Sequence, residues 1–190
     1  YAGVFPFLKF ATKIMVMKYG VPEATAGLIP AMLPFGTIFL TPFFGGIYDK
    51  YGKGATLILI GSVLLTLVHT VFALPLNSWI VAIVIMVVLG IAFGLVPSAM
   101  WPSVPKIIPI KLLGTAYALI FYIQNIGLAL VPVWIGKVNQ SNTQADGIIN
   151  YTPSMTIFAC FGIVSILISC LLILEDKRKG YGLQSPNIKK

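Results

Sequence analysis

The stretch Gly45-Gly46-Ile47-Tyr48-Asp49-Lys50-Tyr51-Gly52-Lys53 decides how this chain reads. It gathers three glycines, two lysines and an aspartate into nine residues, with a long apolar run on either side. Only 9% of the chain is charged, so this cluster has no place in hydrocarbon. It reads as a tight polar turn at a membrane surface, and its lysines point to the cytoplasmic one.

The rest of the chain agrees with that reading. It has 190 residues, 58% of them hydrophobic, and a mean hydropathy of +0.95. Soluble domains average about 45–50% apolar and roughly 25% charged, so a soluble fold is excluded. A membrane span takes about 20 apolar residues. The apolar runs predict six helices, at about 1–17, 24–48, 55–74, 79–104, 112–138 and 153–174, then a basic tail over 175–190. The expected fold is therefore an all-α polytopic membrane protein. Pro6 is expected to kink the first helix, and Pro97 and Pro102 to break the fourth. Tyr1 already lies in an apolar stretch, with no initiator Met and no signal region, so the chain reads as the carboxyl-terminal part of something longer.

Six spans put both ends on one side. The second-third loop, the fourth-fifth loop and the tail hold nine of the thirteen basic residues. The opposite side holds Lys18 and Lys137, and Lys9 and Lys13 lie within the first helix. The rich side, with the tail, is cytoplasmic by the positive-inside rule. A net charge of +8 distributed in this way suits topology and anionic headgroups, not nucleic acid. Cys160 and Cys170 are about 15 Å apart along one helix, too far for a disulfide. Residues 139–151 form a polar external loop. Its tripeptides at Asn139 and Asn150 match glycosylation acceptors but are expected to be unmodified.

Several positions carry candidate chemistry. Gly45 lies one turn before Asp49, where a missing side chain admits a partner helix. Asp49 is then expected to face a helix amino terminus. Lys9 and Lys13, spaced i and i+4, share a helix face. They either bind a carboxylate-bearing solute or, at Lys13 above all, snorkel to the surface. Tyr117, Phe121 and Gln124 recur along the fifth helix with Asn125 beside them, as interhelical glue or as solute contacts. Trp101 is either a belt tryptophan or a cavity residue. His69 reads as a hydrogen-bonded structural histidine. The five acids, Glu23, Asp49, Asp146, Glu175 and Asp176, fall outside the expected spans. No metal cluster, nucleophile-base pair or phosphate loop is present, so neither an enzyme nor a cofactor is expected.

The spacing Gly-x-x-x-Asp-Lys-x-Gly-Lys also resembles the loop signature of the major facilitator superfamily of transporters, where it follows the second helix of each six-helix half. Four further stretches are similar to the branch that holds lysosomal dipeptide transport and its bacterial relatives. They are Phe5-Pro6-Phe7, Ser98-Ala99-Met100-Trp101-Pro102, Leu113-Gly114-Thr115-Ala116-Tyr117 and Gln124-Asn125-Ile126-Gly127-Leu128-Ala129. The departure is length, since the family has twelve spans and this chain matches the second half only.

The resemblance implies two inverted three-helix repeats, with helices one and four lining a central cavity and helices two and five facing the missing amino-terminal half. It implies rocker-switch transport of small organic solutes, dipeptides or other carboxylate-bearing molecules. Lys9, Lys13, Trp101, Tyr117, Gln124 and Asn125 would contact the solute. Gly45, Asp49, Lys50, Gly52 and Lys53 would form the gating loop, latching the outward-open state. The expected partners are the bilayer, the solute and the missing half. A bacterial cell membrane is the expected location and a lysosomal membrane the other option. The competing readings are a non-transporting scaffold and a half-size transporter acting as a homodimer.

Overall fold

Seven α-helices carry the chain in the computed structural model, which describes residues 1–188. They are α1 (Phe5–Tyr19), α2 (Glu23–Ala26), α3 (Leu28–Tyr51), α4 (Gly54–Ala73), α5 (Trp79–Ile107), α6 (Leu113–Ser141) and α7 (Thr152–Lys179), with a 3-10 turn at Ile110–Leu112. Lys189 and Lys190 of the basic tail lie outside the described residues. Five stretches are long and apolar enough to cross a membrane: Glu23–Tyr51, Gly54–Ala73, Trp79–Ile107, Ile110–Ser141 and Thr152–Lys179. With α1, whose 15 residues are the shortest of the six main helices, they form an all-helical bundle.

Proline does not interrupt these helices where its bare chemistry predicts. Pro6 sits in the first turn of α1, where its missing N–H has no partner to lose, so the expected kink is absent. The expected break at Pro97 and Pro102 is also absent, and α5 runs unbroken for 29 residues through both and through Pro105. Each proline frees the carbonyl four residues earlier, which a neighbour has to satisfy in hydrocarbon. Pro105 frees the Trp101 carbonyl, and the Tyr117 hydroxyl of α6 donates to it at 3.1 Å.

The polar stretch that opened the reading is mostly helix. Residues 45–51 form the last two turns of α3, and only Gly52 and Lys53 make the turn into α4. Glu23, Asp49, Glu175 and Asp176 are helical and not outside the spans as expected; Glu23 opens α2, and the other three lie near carboxyl-terminal ends.

α4 is the central helix, packed against α5 on one side and α7 on the other. Small residues allow the close approach. A Cβ on Gly61 would come within 2.6 Å of Val96 Cγ2 and 2.9 Å of the Ala92 carbonyl. A Cβ on Gly162 would overlap the Thr66 side chain and lie 2.9 Å from Thr66 Cα. His69 is fully buried among Phe7, Phe72 and Phe158. It donates from Nε2 to the Gly3 carbonyl at 2.7 Å, which pins the turn leading into α1 to α4 and makes it the hydrogen-bonded histidine expected.

At the end of α4 away from the loop, side chains take up the last carbonyls. The Lys18 ammonium donates to the carbonyls of Phe72 and, at 2.8 Å, Leu74, and the Thr152 hydroxyl donates to Ala73 at 3.3 Å. A cation here also meets the negative end of the helix dipole. Lys18→Met is expected to cost about 1–2 kcal/mol by these two effects. A lower thermal midpoint in detergent, with Lys18→Arg near the parent value, is the outcome to look for; an unchanged midpoint for Lys18→Met would count against the cap.

Two helices stay largely uncovered. Only 6% of the apolar stretch of α6 is buried, against 44% for α5. α3 likewise presents Phe35, Ile38, Phe39 and Phe43 to the outside.

Candidate functional site

The candidate residues fall into three groups. The first joins α5 and α6. The Trp101 ring stacks on Phe121, with centroids 4.9 Å apart and planes at 24°, and lies 5.8 Å from Tyr117. Tyr117 is committed to the freed Trp101 carbonyl, so its hydroxyl acts here as the interhelical glue that was one of its two readings. Asn125 turns back on its own helix, donating to the Phe121 carbonyl at 2.8 Å. Gln124 differs, because its Oε1 is buried and has no hydrogen-bond partner. A buried amide oxygen without a partner is costly, so Gln124 is the member best suited to receive a ligand donor.

The second group is on α1. Lys9 and Lys13 are both exposed, and among the described residues neither ammonium makes a hydrogen bond or an ion pair. Lys13 borders a cavity of about 320 Å³, with Phe10, Gly136, Asn139, Gln140 and Thr143. Asn139 is buried in α6, and its Oδ1 accepts from Ser154 at 2.6 Å, so packing encloses this formal glycosylation acceptor. Tyr151 closes the same cavity from the loop before α7, and burial pushes its phenol up to about 12.

The two groups are separate. α1 and α6 run side by side, with Ala2 beside Gly127 and Phe10 beside Gly136. Gln124 lies one turn beyond Gly127 toward the loop end, and Lys9 two turns beyond Ala2 the other way, a separation of about 15 Å along the axis. An extended dipeptide spans about 7 Å. The lysines and the amide group are thus two stations along one face and not a single pocket.

The third group is the loop. Asp49 does not face a helix amino terminus, as expected. Its Oδ1 accepts from Asn187 Nδ2 at 2.7 Å, and its carbonyl accepts from the backbone N–H groups of Asn187 and Ile188 at 3.1 Å. The segment expected to be a free basic tail leaves α7 after Lys179 and folds back over the turn. Lys53 and Gly54 donate from their backbones to the Gln184 and Leu183 carbonyls at 2.9 Å. Gly52 adopts φ +73°, and a Cβ there would lie 2.6 Å from the Pro186 nitrogen. Glycine is needed on both counts. Gly45 has nothing within 4 Å of its missing Cβ, so no helix of this chain uses that gap. Lys50 and Lys53 are exposed.

Residues 2–186 match the family model described as Major Facilitator Superfamily, and the chain belongs to that family. It is similar to proteins named lysosomal dipeptide transporter MFSD1. The Homo sapiens protein is 29% identical over 96% of this chain and 37% of its own length. The Bos taurus protein is 32% identical over 73% of this chain and 29% of its own, and the Gallus gallus protein 32% over 73% and 30%. The chain thus spans little more than a third of the curated relatives it matches. No solved structure matches it. These relatives are named as lysosomal, which fits the lysosomal option and leaves the bacterial membrane without support.

Proposed function

We propose that this chain is the carboxyl-terminal half of a secondary transporter that moves dipeptides or other small carboxylate-bearing solutes by rocker-switch alternating access. Family membership and the printed names of the relatives support transport of that class. The observation that carries the reading is the pair of uncovered helices, α3 and α6, together with the unpartnered Gln124 amide on α6. An apolar face of this size beside a polar group in need of a partner suits a second half closing around a solute. Lys9 and Lys13 hold the solute's carboxylate at one station, and Gln124 takes a donor from the solute at the other, in successive steps of the cycle. The loop around Asp49 lies at the cytoplasmic end, and the membrane is that of the lysosome.

The test is complementation. Expressed alone, this half is expected to insert but to move no radiolabelled dipeptide into proteoliposomes. Supplying the amino-terminal half of the same transporter as a separate chain is expected to restore uptake. Uptake by this half alone would favour a homodimer. Absence of uptake by the intact, correctly folded protein would count against dipeptide transport.

A further inference from the structure

We propose that residues 182–188 act as a tie that holds the loop-side ends of α3, α4, α5 and α7 together as one rigid body, with Lys106 as its positioning residue. The proposal deepens the transporter reading, because rocking one half against the other requires each half to move as a unit.

The segment touches all four helices. It meets α3 at Asp49 and the start of α4 at Lys53 and Gly54, as described above. It adds a side-chain pair with α4, in which Gln184 Nε2 donates to Thr56 Oγ1 at 2.9 Å. Its link to α7 is Asp176, whose Oδ1 accepts from the Leu183 N–H at 3.0 Å. Leu183 itself is fully buried and anchors the segment.

The link to α5 is Lys106. Its ammonium donates to the carbonyls of Gly182 at 3.1 Å and Ser185 at 2.8 Å, and lies 5.0 Å from the centroid of the Tyr48 ring. Tyr48 is fully buried on α3 and shares a 3.3 Å hydrogen bond with Ser103 of α5. One cation therefore bridges the segment, α5 and α3 through charge-assisted hydrogen bonds and a cation–π contact. The glycines at 52 and 54 complete the fit. A Cβ on Gly54 would lie 2.6 Å from the Tyr48 ring and 3.0 Å from the Leu183 carbonyl, so side chains there would lift the segment away.

Two experiments on the full-length transporter test the tie. In the first, Thr56→Cys and Gln184→Cys are introduced together and oxidised. Disulfide formation with dipeptide uptake unchanged is expected, since a rigid tie never has to open. Uptake that stops on oxidation and returns on reduction would overturn the proposal, as would failure of the two cysteines to cross-link. In the second, Leu183→Cys is probed with a membrane-permeant maleimide. Adding Lys106→Ala is expected to speed its labelling at least about tenfold, the factor that even one of its two charge-assisted hydrogen bonds gives, and Lys106→Arg to restore protection. Equal labelling in all three would overturn the role of Lys106. Labelling does not depend on transport, so a protein that moves no dipeptide would sink the transporter reading while the tie was still judged.

Discussion

Gly162→Leu is expected to leave the protein inserted but unable to pack. Even a methyl group at 162 overlaps the Thr66 side chain and presses on the Thr66 backbone, which cannot move aside as a flexible side chain can. The α4–α7 contact is also where the Ser62 hydroxyl meets Ser165 at 2.7 Å, and separating the helices would strand that pair in hydrocarbon. Overpacking typically costs 1–3 kcal/mol, and a clash with backbone belongs at or above the upper figure, about 3 kcal/mol. Loss of the monodisperse peak on size-exclusion chromatography in detergent checks this. A variant that elutes and melts like the parent would show that the helices tolerate separation.

Lys9→Ala is expected to weaken solute binding about 10- to 100-fold, by removing a charge-assisted contact worth roughly 1.5–3 kcal/mol. The response of uptake to an imposed pH gradient should stay unchanged. The acids of this half stand near helix ends or in the α6–α7 loop, and its histidine is buried against Gly3, away from both candidate stations. On the proposed transporter reading this half is expected to contribute binding and gating but no proton site, with the coupling acid in the other half or transport running as a uniport. Uptake and equilibrium binding of a dipeptide, with and without a pH gradient, separate the two roles. A variant that keeps its affinity and loses its pH response would make Lys9 the proton carrier.

The helices were legible in the sequence because hydropathy alone demands them, and His69 because a lone polar group within a span has to find a partner. The behaviour of the prolines was less legible. The reading weighed what Pro102 removes from its own helix, while the answer for Pro105 lay in a tyrosine hydroxyl on another helix. Lys9 and Lys13 were visible as paired cations, but their distance from Gln124 depends on how α1 lies along α6, which no local pattern records. Residues 182–188 were the hardest to read. Gly-Leu-Gln-Ser-Pro-Asn-Ile carries two large apolar side chains, of which Ile188 is exposed, and resembles any polar tail. Its partners are at positions 49 to 56, at 106 and at 176, and glycines 52 and 54 look like ordinary turn residues until the backbone lying on them is known.

The hydrogen bond between Asp49 and Asn187 joins residues 138 positions apart. At about 5–20 residues synthesised per second, the loop emerges from the ribosome roughly 7–28 s before the segment that covers it. Through that interval α3 and α4 are already threaded while their shared turn stays bare. Translation order thus makes this end of the half the last to close, and a ribosome stalled before residue 182 would leave a bundle that is inserted and unfastened.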